Sequence, residues 1–317
     1  MKTKQVVVIL VLVVIFLATV LPILSPAGRS GHDIVSGSQP IIAIVRLDGV
    51  LATGFSGAGS ALASGTCGSD TVVATLAELR RNPTVKAVVL RMNSPGGSPA
   101  AAQEICEELA LLRLEGKTVV TSMADTAASG AYWIAANTDH IFANAGTLTG
   151  SIGVIWQVAN YEELYRKLGI EYLTLTSGPY KDMGSSSRPM TDAEKEILRS
   201  MIQDLYDQFV DTVAAGRNLP REDVLAVADG RVFTGSQAMA VGLVDSLGGL
   251  TPAVEKAADL AGVADSYRVQ EFGRRTYLEL FLGEASALMR SLRSLAGLPG
   301  SGLLDSVSPT GSGEGPK

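Results

Sequence analysis

Apolar positions along this 317-residue chain change their period several times, and the changes mark its elements. Val6–Leu24 is a run of nineteen residues without a charge. At about 1.5 Å rise per residue it spans roughly the 30 Å hydrocarbon core of a bilayer. Ser25-Pro26-Ala27 supplies the small residues of a signal-peptide cleavage site, but the run is longer than a usual signal core and reads as a retained anchor. Lys2 and Lys4 on its short side leave the N-terminus in the cytoplasm and send the rest across. Residues 25–39, rich in Gly, Ser and polar side chains, then form a linker.

From residue 40 onward the pattern becomes that of a folded α/β domain. Ile41–Leu47, Val85–Met92 and Thr118–Met123 are short continuous apolar runs, the signature of strands buried on both faces. Between them lie helical periods: Val72, Val73, Leu76 and Leu79 in a helix capped by Asp70 and ending at Arg81, and Pro99–Leu114 behind an N-cap at Ser98. The β, α, β, α, β order predicts a parallel sheet. Next come a small-residue helix over Ala127–Asn137, apolar runs at His140–Ala143 and Ile152–Val158, a helix near Tyr161–Leu168 and a strand at Glu171–Thr176. The capping box Thr191-Asp192-Ala193-Glu194 opens a long helix to about Ala215, with Ile197, Met201, Leu205 and Phe209 on one face. Helices near Arg221–Ala228, Gly235–Val241 and Pro252–Ala261 close a domain spanning 40–265. Residues 266–297 read as an amphipathic C-terminal helix, with Leu278, Phe281, Leu282, Leu288 and Leu292 at helical spacing, and 298–317 as a disordered tail.

A formal charge of −6 and a pI near 5.1, with scattered arginines, exclude the basic stripe of a nucleic-acid protein. Cys67 and Cys106 are the only cysteines and have no metal-ligand spacing; an oxidising compartment would permit a disulfide, but isolated buried thiols are the simpler reading. No cofactor is implied. Only His32 and His140 are available for histidine-dependent chemistry.

Three short segments carry candidate chemistry. Asn93-Ser94-Pro95-Gly96-Gly97 is a strand-to-helix turn whose glycine amides can approach a ligand without an obstructing Cβ. Ser129, in Ala128-Ser129-Gly130, stands at a helix start, where the macrodipole favours developing negative charge. Lys181, in Gly178-Pro179-Tyr180-Lys181-Asp182, is a base without histidine, provided an apolar setting holds its amine neutral. Taken singly, each has an ordinary explanation: a plain turn, a helix cap, a solvated lysine.

The combination resembles the signal peptide peptidase A family, membrane-associated serine proteases of the Clp/crotonase-like fold with its repeated β-β-α units. The likeness runs from about Ile41 to Gly262 and is carried by four segments in order: Asn93–Gly97, Ala128-Ser129-Gly130-Ala131-Tyr132, the run Ala143–Val154, and Ser177–Asp182. The resemblance implies Ser129 as nucleophile, Lys181 as general base and acid, the Gly97 and Ser129 amides as oxyanion hole, and Ser151 as the residue orienting the lysine. It also implies peptide substrates such as signal-peptide remnants, a homo-oligomer, and a single-pass plasma-membrane location with the catalytic domain extracytoplasmic. Ala131 replaces a second glycine usual after the nucleophile, and Trp133 stands where another aromatic is common, so the shape of the pocket is expected to differ. The alternatives are a crotonase-type acyl-CoA enzyme, for which the Ser129–Lys181 pair has no role, a histidine-dependent Clp-type protease, which lacks a histidine after His140, and an inert membrane scaffold of the same fold.

Overall fold

The computed structural model describes residues 39–55 and 65–273. The predicted span Val6–Leu24, residues 274–297 of the predicted amphipathic helix and the tail 298–317 lie outside them. The chain divides into two units, Met1–Gln39 and Pro40–Lys317, and the second is the subject here.

Its centre is a mixed α/β arrangement around a largely parallel sheet. β1 (Ile41–Asp48), β4 (Val85–Ser94), β5 (Thr118–Ala128) and β6 (His140–Ala143) are neighbours in parallel register, flanked by β10 (Arg268–Phe272) on β1 and β9 (Ser246–Leu247) on β6. Alternation along the strands feeds two cores, because successive side chains point to opposite faces. Ile41, Ala43, Val45 and Leu47 face the larger one, with α1 (Ser69–Arg81), α2 (Pro99–Leu114) and α3 (Gly130–Ala135). Ile42 and Ile44 join Ala87, Val89, Val120 and Phe142 under α8 (Leu250–Leu260), whose Ala253, Val254, Ala257 and Ala258 cover them. Since both faces are covered, these strands read as continuous apolar runs.

Off the main sheet, β2 (Val50–Ala52) pairs in parallel with β3 (Thr66–Gly68). β7 (Leu148–Gly150) pairs in parallel with Thr126–Ala128 at the end of β5, and β8 (Val232–Thr234) lies antiparallel to β7. The remaining helices are α4 (Glu162–Lys167), α5 (Asp192–Arg217), α6 (Arg221–Val227) and α7 (Gly235–Ala240). Among the described residues, no helix is long and apolar enough to cross a membrane.

Several expectations need correction. Gly68, not Asp70, is the N-cap of α1; Asp70 sits within the first turn, where its charge faces the helix N-terminus. The small-residue helix is shorter than its composition suggests, because Ala127 and Ala128 stay in β5 to pair with Thr149 and Gly150. Glu171–Thr176 is no strand: its alternation finds no partner edge among the described residues, and its side chains are exposed. Arg268–Phe272 lies in the stretch expected to be helical, yet the free edge of β1 makes it a strand and carries the domain past residue 265. In α5 the face expected to pack is only partly used, since Met201 is exposed while Phe209, Val210 and Val213 are buried.

Candidate active site

The site forms where three chain turns meet at the ends of β4, β5 and β7. After β4 the chain turns through Gly96 and Gly97, both at positive φ (98° and 150°). Leu51 of β2 clasps this turn: its N–H donates to the Gly96 carbonyl at 2.8 Å, and its carbonyl accepts from Ser98 N–H at 2.9 Å. In such a parallel bridge the intervening amide, that of Gly97, points away from the partner strand. The Ser94 hydroxyl accepts the Gly96 N–H at 3.1 Å and tightens the turn.

At the end of β5, Ser129 adopts φ 54° and ψ −126°, a conformation native to glycine, and caps α3 without a side-chain cap bond. Among described residues outside glycine, only Ser129, Ser151 and Asn218 have positive φ; Asn218 is the left-handed C-cap of α5. The other two flank one site, a clustering typical of strained functional positions. Ser129 does not keep its own amide for a ligand. Its N–H donates to the Gly150 carbonyl at 2.8 Å, continuing the β5–β7 ladder. The sequence-based assignment of the Ser129 amide to an oxyanion hole is therefore corrected in this structure. The amide beside it, on Gly130, opens α3 and has no intrahelical partner, as for any first helical residue. Gly130 and the Gly96–Gly97 turn interlock: a Cβ on Gly96 would lie 2.7 Å from Gly130 N, and one on Gly130 would meet Gly97 N at 3.4 Å. Two backbone donors thus lie close together beside the serine.

Ser129, Gly97, Gly130 and Ser151 line one cavity of about 520 Å³. Ser151 enters it through a turn fixed by its N–H to the Arg231 carbonyl at 2.9 Å. The wall is apolar and aromatic. Trp133 of α3 stacks on Phe209 of α5, with centroids 4.7 Å apart and planes 17° from parallel. Tyr206 donates its hydroxyl to the Ala228 carbonyl at 2.8 Å. Asp229 stands among the lining residues, and the Arg231 guanidinium together with the Arg231 backbone N–H holds its carboxyl down at about 2, so it is a paired anion. Such a pocket accepts an apolar side chain while the donors hold a polarised oxygen.

Lys181 is not brought into that lining. It sits in a loop of successive turns at the end of an arm, residues 155–181, that is exposed almost throughout, and its ammonium makes no hydrogen bond or ion pair to another described residue. Ile155, Trp156, Leu173 and Leu175 are also exposed on this arm.

Among the described residues, the other candidate nucleophiles and bases lie apart; His32 lies outside them. Burial raises the Cys67 thiol to about 11 and the Cys106 thiol to about 12, so both remain protonated and unpaired. His140 shares a hydrogen bond with Ser246 at 3.0 Å and packs on Phe142, away from the cavity. Sequence reasoning missed the Gly130 amide and the aromatic wall from α5. The first had a signal, since a cap residue always leaves the next amide unspent; the second depends on a contact between residues far apart in the chain.

A strained serine at the mouth of an apolar pocket, beside two unspent amides, is the arrangement of a serine-type hydrolase. The comparisons with known proteins narrow this class. A model of peptidase family S49 matches residues 112–264. The chain is 46% identical to Synechocystis sp. protein slr0021 over 203 residues, covering 64% of this chain and 72% of that one. It is 36% identical to Protease 4 of Salmonella typhi over 228 residues, and 33% identical to the chloroplastic serine protease SPPA of Arabidopsis thaliana over 272 residues. Of these two longer proteins it spans only 37% and 39%. The chain belongs to peptidase family S49 and is an SppA-type serine peptidase.

Proposed function

We propose that this protein is a membrane-anchored endopeptidase of the Clp/crotonase-like fold, and that it hydrolyses released signal peptides and other membrane-associated peptides with a Ser129–Lys181 dyad. The observation that carries the reading is the strained Ser129 beside the Gly97 and Gly130 amides at one apolar cavity. Neutral Lys181 takes the Ser129 hydroxyl proton as Oγ attacks the scissile carbonyl carbon. The resulting oxyanion accepts hydrogen bonds from the Gly97 and Gly130 N–H groups, and the lysine ammonium then protonates the leaving amine as the C–N bond breaks. Water, activated by the same lysine, hydrolyses the acyl-enzyme and restores Ser129. Ser151 orients the amine. The apolar pocket suits a side chain from the core of a signal peptide, and the anchor Val6–Leu24, with its domain on the extracytoplasmic side, raises the local concentration of such peptides.

The exposure of Lys181 bears on assembly. An amine taken out of water favours its neutral form, and among the described residues Lys181 is exposed. A second copy packed on the apolar arm would take it out of water, which favours a homo-oligomer in which the sites are completed by association.

The test is cleavage of an apolar peptide library by the full-length protein, with a fluorophosphonate probe for the activated serine. Ser129→Ala is expected to lose turnover and labelling, and Lys181→Ala to lose turnover, with both retaining wild-type circular dichroism. Wild-type turnover in either variant would overturn the dyad.

A further inference from the structure

The lysine loop belongs to no strand or helix, and its backbone bonds are the short turns Lys181 N–H to Gly178 O at 3.3 Å, Met183 N–H to Tyr180 O at 3.2 Å and Ser185 N–H to Asp182 O at 3.0 Å. Turns of this kind set local shape but not the position of the loop on the protein. Ser186 ties the loop back to the arm, its carbonyl accepting the Tyr161 N–H at 2.7 Å, and among the described residues one side chain ties it to α5. The Arg188 guanidinium grips the carboxylate of Asp182, the residue after Lys181, through Nε at 2.8 Å and Nη2 at 2.7 Å. The same guanidinium reaches Glu194 through Nη1 at 3.0 Å and Nη2 at 2.5 Å, and Nη1 also donates to the Pro189 carbonyl at 3.0 Å. These contacts engage all three guanidinium nitrogens and account for the five N–H donors an arginine possesses.

The far end of the clamp is rigid. Glu194 is only 1% exposed and is the N3 residue of the α5 capping box, where it accepts the Thr191 N–H at 2.7 Å and the Thr191 hydroxyl at 3.0 Å. Further along the same helix, Phe209 stacks on Trp133, which follows Ser129 by one turn of α3. One continuous helix therefore links the carboxylate that holds the lysine loop to the wall of the serine's cavity.

We propose that Arg188 is a positioning residue for the lysine base: it locks the Lys181 loop to the capped start of α5, so that the amine is presented from a fixed place when association completes the site. The inference rests on the dyad reading above. Its chemistry is specific to arginine, because a planar fork can bind two carboxylates edge-on, whereas a lysine ammonium is a point charge with three donors. Without the guanidinium, Asp182 and Glu194 would face each other as like charges, and the loop would lose its charged tether to α5. Arg188 also holds both carboxyls below their usual range, Glu194 at about 2, so the clamp stays closed at any pH at which a lysine base could work.

The experiment compares full-length wild type with Arg188→Met, Arg188→Lys, Asp182→Asn and Lys181→Ala in kcat, KM and the pH profile of kcat/KM, with melting curves for each. Asp182→Asn is included because it unties the loop while leaving the Arg188–Glu194 cap in place. The expected result for Arg188→Met and Asp182→Asn is a fall in kcat of about 10- to 100-fold, KM within about twofold, and a rising limb displaced to higher pH, as expected for a base whose placement has been loosened. Arg188→Lys should recover part of kcat. Where Arg188→Met fails to fold, Asp182→Asn decides. An inactive Lys181→Ala together with an unmoved pH limb and unchanged kcat in Asp182→Asn overturns the proposal and leaves the dyad standing. Rate losses that track melting temperature with an unmoved limb show a merely structural role and overturn it too. Full activity in Lys181→Ala overturns the dyad and the proposal together.

Discussion

The carbonyl oxygen of Leu51 lies where a side chain on Gly97 would begin: a Cβ built on Gly97 would sit 2.1 Å from it and 2.7 Å from Leu51 N. Both obstructing atoms are backbone, held by the bonds that clasp the turn, so neither can yield without breaking the β2 contact. Gly97→Ala must therefore move the Gly97 amide. If that amide holds the oxyanion, kcat falls by about 10²- to 10³-fold while KM changes little. Steady-state kinetics on one cleaved peptide checks this, and an unchanged kcat would remove Gly97 from the oxyanion hole.

Ser129 stores strain that only a β-carbon suffers. At φ 54° and ψ −126° a non-glycine residue costs about 1–3 kcal/mol. Ser129→Gly should therefore melt above Ser129→Ala by several degrees. Denaturant titration of the two variants measures the difference directly. Equal stability would mean that the backbone at this position relaxes in solution and that the strain is not part of the site.

What could be read from the sequence follows the range of the interaction. Pro99–Leu114 with its Ser98 cap was legible to the residue, because the cap bond, Ser98 Oγ to Ala101 N–H at 3.3 Å, is local. The capping box at Thr191 was legible for the same reason. Glu171–Thr176 alternates like a strand, but a strand needs an edge, and pattern alone does not supply one. The same limit hid β10, whose short polar sequence becomes a strand only because β1 has an open side. At the site, residue types pointed to Ser129 and Gly97 and the family resemblance to Ser151, and all three line one cavity. The spent Ser129 amide was illegible, because it depends on β7 arriving to accept it. The exposure of Lys181 was illegible as well, since burial is a property of packing and not of the loop sequence.

The capping box has a pH signature. Glu194 ordinarily titrates near 4.5 and is held at about 2, chiefly by the Arg188 guanidinium and then by the Thr191 N–H. A carboxylate with a lowered value in the folded state adds stability above its unfolded value and loses it as pH falls through the folded one. Wild type should therefore melt above Glu194→Gln at pH 7, and the gap should close as pH falls from about 4.5 toward about 2. Melting curves of both proteins across that range test it. A gap that stays constant with pH would mean that the glutamate acts through shape and hydrogen bonding, not charge.

The apolar arm makes the last and broadest prediction. Ile155, Leu173 and Leu175 are 82%, 86% and 87% exposed, and they share the arm with exposed Trp156, Leu164 and Tyr172. Large apolar side chains exposed together along one segment suit an association site. Lys181 stands at the end of the same arm, so covering the arm would also remove water from the amine. Leu173→Asp with Leu175→Asp places two charges where a second copy would pack, and loss of even one strong anchor, about 2 kcal/mol, weakens association by about 30-fold. Light scattering should show an assembly for the wild type and a smaller species for the double variant. The smaller species should keep the wild-type far-ultraviolet spectrum and lose peptidase activity. A wild type that is monomeric and fully active would end the oligomer reading and require Lys181 to reach Ser129 by movement of its own arm.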